Sequence, residues 1–110
     1  MSTNVVTVLL ATVIVVLVEG QTVQVPGTDL TISAASVRDF TSEGCWRGPI
    51  GCFDTVQLTV TRSNVSRQIT LSAAQTEIQR RQEINRTNLF GYDITLVNLK
   101  DKRVVLDIAH

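Results

Sequence analysis

From Asp54 to Arg62 the chain alternates: Val56, Leu58 and Val60 are apolar, whereas Gln57, Thr59 and Thr61 are polar. A period of two sends successive side chains to opposite faces, so this segment predicts a strand with one face in a core and the other in water. The same pattern recurs on both sides of it. Leu30, Ile32 and Ala34 alternate with Thr31 and Ser33 on the way to Val37, and Ile69 and Leu71 alternate with Gln68, Thr70 and Ser72 between Ser66 and Ser72. Ser63-Asn64 is a natural turn between two of these runs and predicts a hairpin. A shorter extended piece, Thr22 to Val25, stops at Pro26-Gly27, and a last hairpin is expected from Leu89 to Leu99 and Arg103 to Ala109, turning at Lys100-Asp101-Lys102. Short extended segments separated by regularly spaced turn residues predict an all-β, mostly antiparallel fold, a small β-sandwich or barrel.

The period changes in one place. AAQTEIQRRQEI, from Ala73 to Ile84, is rich in helix formers, and Ser72 with Gln75 three residues on forms a weak capping box. At most one short helix is expected near residues 73–84, or else a crossover loop.

The N-terminal run has a different texture. Val5 to Val18 carries no charge and only Thr7 and Thr12 as polar members, and Glu19-Gly20 ends it. Three readings fit. It has the length of a signal-peptide core, with cleavage ahead of Gln21, although no Lys or Arg precedes it. It is short for a membrane-spanning helix, which leaves an anchor as a second reading and membrane contact only if residues 5–18 are retained. Its abundance of Val, Ile and Thr favours an extended chain, so a strand, including one donated to a neighbouring copy, is the third. Residues 1–20 are accordingly separated from a single β domain over residues 21–110.

Composition narrows the function. The chain has 110 residues and zero formal net charge, so nothing draws it generally to nucleic acid or to an anionic membrane. The charge is nevertheless uneven. Up to Thr61, Arg38 and Arg47 stand against five acids, and from Arg62 onward eight bases stand against five acids. Arg62, Arg67, Arg80, Arg81 and Arg86 form a candidate basic patch, or a solvated face interleaved with Glu77 and Glu83. No aromatic lies among them on which a nucleic-acid base would stack.

Cys45 and Cys52 frame Trp46-Arg47-Gly48-Pro49-Ile50-Gly51. Outside the cytoplasm such a pair is expected to join, and a loop this short gains about 2 to 3 kcal/mol in the chain-entropy model. A stapled loop would present Trp46, Arg47 and the adjoining Phe53 as a rigid contact surface. Asn64-Val-Ser66 and Asn85-Arg-Thr87 are sequons, used only in a host that glycosylates. Catalytic chemistry finds little support. The only histidine is His110, no Gly-rich phosphate loop occurs, and no metal-ligand spacing is present, so no catalytic residue, metal or cofactor is assigned.

Gly20-Gln21, the Asp39 segment leading to Cys45 and Cys52, the Val56–Thr61 strand and Gly91-Tyr92-Asp93-Ile94-Thr95-Leu96 together resemble a group of small bacterial secreted or lipoprotein-type β domains with a two-cysteine loop. The resemblance covers about residues 20–99. Trp46 follows the first cysteine here where the group has it after the second, and no lipid-accepting cysteine follows the hydrophobic run. The resemblance implies a closed or sandwiched antiparallel sheet and an envelope location, without an activity, and the expected location is extracellular or in the cell envelope. The expected function is a non-catalytic domain that binds a protein partner or copies of itself. A filament subunit assembled by strand exchange of the N-terminal run and an inhibitor of a secreted hydrolase are the alternatives.

Overall fold

The computed structural model describes residues 12–38, 54–73 and 84–110. Eight strands follow in order: β1 (Thr12–Val18), β2 (Thr22–Gln24), β3 (Leu30–Arg38), β4 (Thr55–Arg62), β5 (Val65–Ser72), β6 (Arg86–Leu89), β7 (Tyr92–Lys100) and β8 (Arg103–Ala109). They form two antiparallel four-stranded sheets, ordered β1-β8-β7-β6 and β2-β3-β4-β5. Among the described residues each sheet has two edge strands and neither sheet closes on itself, which gives a sandwich rather than a barrel. No helix occurs among the described residues. The one expected near 73–84 falls on residues 74–83, outside them.

The alternation seen in the chain becomes the core. Val56, Leu58 and Val60 of β4 are fully buried, as are Leu30, Ile32 and Ala34 of β3. They pack across the sandwich with Val15 and Leu17 of β1, Ile94 and Leu96 of β7, and Val104, Leu106 and Ile108 of β8. The polar partners line the outer side of the β2-β3-β4-β5 sheet, where Thr22 and Ser33 share a hydrogen bond of 3.1 Å and Thr61 and Ser66 one of 2.8 Å.

The segment expected as one strand from Leu89 onward is instead the end of one strand and the start of the next. Leu89 pairs with Tyr92, and Phe90-Gly91 turns between them with φ of 56° and 84°. Two successive left-handed residues give the twist that a tight hairpin requires. Gly91 reaches it without a Cβ penalty, and Phe90 is held there with its side chain packed on the core. The β4–β5 turn at Ser63-Asn64 and the β7–β8 turn at Asp101-Lys102 lie where expected, again with left-handed residues at Ser63, Asp101 and Lys102.

β2 reaches only as far as Ser33 on β3, so beyond Ser33 β3 pairs with β4 on one side and, among the described residues, with no strand on the other. Other groups cover it. Gly20 N–H donates to the Ala34 carbonyl at 2.7 Å, and Ala34 N–H donates to the Gln21 carbonyl at 3.1 Å. Val37 N–H donates to a Glu19 carboxylate oxygen at 2.7 Å, while Lys102 Nζ donates to the Val37 carbonyl at 3.2 Å. Removing the Glu19 carboxylate would leave a half-buried backbone donor unmet, at a cost of about 1 to 2 kcal/mol. Glu19→Ala is therefore expected to lower the unfolding free energy by that amount, read as a lower urea midpoint at constant slope, and an unchanged midpoint would show that water replaces the carboxylate.

Candidate functional site

A β-sandwich has four sheet edges, and natural proteins protect them with shortness, charge, proline or a cover. Three edges here carry such a device. β2 is three residues long and is followed at once by Val25 and Pro26. β5 carries Arg67 opposite the buried Val60, an inward-row charge that stays exposed at the strand edge. β6 is four residues long and presents Arg86 and Asn88, the latter hydrogen-bonded to Asp93 at 2.9 Å.

β1 carries none. Its seven residues, TVIVVLV, contain no charge and no proline, and β8 is the only described strand that pairs with it. Val15 and Leu17 point into the core, while Ile14, Val16 and Val18 point outward and are 58%, 49% and 45% exposed. Val105 of β8 extends the apolar ridge inward across the sheet, since Val16 lies opposite it. The other sheet's outer side has Thr, Ser and Gln at the equivalent positions, so the ridge belongs to β1 and is not the general habit of the fold.

A second cluster sits at the opposite end of the sandwich from the β7–β8 turn. The His110 ring stacks on Tyr92 with ring centres 4.5 Å apart, beside a recess of about 200 Å³ that Val13, Pro26, Thr28 and Ile108 also line. Nearby, Arg62 Nε donates to Asp29 Oδ2 at 2.8 Å. That hydrogen bond holds the Asp29 carboxyl below the ordinary carboxylate range and raises Arg62, with the Tyr92 hydroxyl a lesser influence on Asp29. Both side chains are about half exposed, so solvent screens the pair and it contributes little to stability. Among the described residues no group of three or more metal-ligating side chains converges.

The residues singled out from the sequence divide accordingly. Cys45, Cys52, Trp46, Arg47 and Phe53 lie outside the described residues, as do Arg80 and Arg81. Arg38 and Thr55, a register pair, are the last strand residues on either side of that cysteine segment. Arg62 and Arg67 are on adjacent strands of one sheet, and Arg86 is on an edge strand of the other. Asn64 is exposed in the β4–β5 turn, whereas Asn85 is half-buried and its carbonyl accepts from Leu96 N–H at 2.7 Å. The β1 ridge was missed as a site. The signal was the lack of alternation in residues 12–18, which shows that both faces are apolar but not which one a core covers.

The chain matches no protein-family model, no curated protein and no solved structure.

Proposed function

We propose that this chain is a non-catalytic β-sandwich of the extracellular space or cell envelope that acts by protein interaction, with β1 as its binding strand. The observation that carries the reading is the exposure of Ile14, Val16 and Val18 on a strand that has no charge or proline and, among the described residues, no strand on its outer edge. Such an edge offers a row of backbone donors and acceptors together with an apolar ridge, the combination that an added strand uses for affinity and specificity. The location rests on the cysteine pair, which is expected to join outside the cytoplasm.

The test is chemical-shift mapping with a short soluble peptide of alternating Val and Thr. Amide shifts confined to β1 and β8 are expected, because an added strand contacts the first and polarises the second through the ladder. Shifts centred on the β2-β3-β4-β5 sheet, or none, would overturn the reading.

A further inference from the structure

We infer that the turn end of the β7–β8 hairpin is a binding site for a single carboxylate carried between apolar side chains, as a glutamate is in an acidic segment of a partner protein. The site lies on the outer face of the β1-β8-β7-β6 sheet and does not depend on a strand being added to β1.

The ladder assembles it. Lys100 stands directly opposite Arg103, and Asn98 directly opposite Val105. Leu99 and Val104, the pair between them, are buried, so these four side chains project from the outer face. Together with Asp101 they line a recess of about 200 Å³. The side chains of Lys100 and Arg103 form no hydrogen bond or ion pair with any described residue, Asp101 included. Lys102, the remaining base of the hairpin, is committed to the Val37 carbonyl.

Like charges directly opposite each other in a ladder repel, and an anion seated between them removes the repulsion. Arg103 offers a planar fork to an oxyanion and Lys100 a point charge, while Asn98 adds an amide donor. The charge of the recess selects the anion. Lys100 and Arg103 against Asp101 leave one net positive charge, which a carboxylate neutralises and a phosphate monoester, with close to two negative charges, would exceed. Neighbouring side chains specify what carries it. Val16 and Val18 of β1 are exposed and stand in register beside Val105 and Arg103. On the β7 side Val97 falls out of register with β8 and is exposed, a side chain re-aimed by the break in the ladder. Apolar surface on both sides of the cations fits an acidic residue with apolar neighbours better than a free acid, whose chain leaves from one side.

The test is an NMR titration of the full chain at low salt with the capped peptide Thr-Val-Glu-Val-Thr and its Gln counterpart. The Glu peptide is expected to shift the amides of Asn98, Lys100, Arg103 and Val105 and to bind about five-fold more tightly than the Gln peptide, an advantage that shrinks as salt is added. Lys100→Gln combined with Arg103→Gln, both at exposed positions, is expected to abolish the difference, whereas Arg67→Gln, at an exposed position of the other sheet, is expected to preserve it. Unmoved amides at the recess would overturn the inference, and so would equal binding of the two peptides or a Glu advantage that survives the double substitution. Tighter binding of a phosphoserine peptide than of the Glu peptide would overturn the choice of a carboxylate. Hexanoate binding as tightly as the Glu peptide would overturn a protein segment as its carrier.

Discussion

A chain that begins at Gln21 is expected to be largely unfolded. Residues 12–18 supply the whole of β1, which pairs residue for residue with β8 from Thr12↔Ala109 to Val18↔Arg103. Their removal takes Val15 and Leu17 out of the core and uncovers the side of β8 that carries Leu106 and Ile108. Each fully buried aliphatic side chain contributes about 1.5 to 3 kcal/mol, so the pair alone accounts for roughly 3 to 6 kcal/mol. Small domains are stable by only about 5 to 15 kcal/mol in total. The Glu19 carboxylate on Val37 is lost in the same step. Circular dichroism and urea unfolding of residues 21–110 beside the full chain measure the effect. A truncated chain with the full-length transition would mean that β1 is dispensable, and the hydrophobic run would then fit a cleaved leader better than a structural strand. Rescue of the truncated chain by a solubilised peptide carrying Thr12–Val18 would show that the strand can be supplied by another molecule.

The second large effect is expected at Leu106. β8 lies between β1 and β7, and Leu106 stands in register with Val15 on one side and Leu96 on the other, all three buried and Leu106 fully so. Truncation to alanine removes buried methylene and methyl groups where backbone ladders on both flanks limit collapse around the cavity. Leu106→Ala should therefore lie in the middle or upper part of the usual range for such changes, about 3 to 5 kcal/mol. Denaturant unfolding gives the number directly. A loss below about 1 kcal/mol would mean that the two sheets close over the cavity, and would contradict the tight packing inferred for this region.

Leu106→Ala tests the inner face of the β1-β8-β7-β6 sheet, where stability resides, whereas Ile14, Val16 and Val18 of β1 lie on its outer face, where partner binding is proposed. The separation is possible because neighbouring residues of a strand point to opposite sides.

Most of the core was legible from the chain. Val56, Leu58 and Val60 alternate with Gln57, Thr59 and Thr61, and a half-buried strand is the arrangement that buries every apolar side chain while leaving the polar ones wet. The turns at Ser63-Asn64 and around Asp101-Lys102 were equally legible, since polar residues interrupt the alternation there. The turn at Phe90-Gly91 was not. Phe90 reads as one more apolar strand residue, and only the pairing of Leu89 with Tyr92 shows that its backbone is left-handed.

Local alternation therefore determined the strands of the β2-β3-β4-β5 sheet and their inner faces, because side-chain period is a property of the strand itself. The role of residues 12–18 was decided only by tertiary structure. Every position from Val13 to Val18 is apolar, so the chain is equally consistent with a leader, an anchor, a strand buried on both faces or an edge strand. Among the described residues, Thr12–Val18 pairs with β8 at the edge of its sheet, and the sandwich covers Val15 and Leu17 while leaving Ile14, Val16 and Val18 exposed. Which residues of a uniformly apolar strand become core and which become surface depends on where the second sheet lies, and no local pattern carries that information.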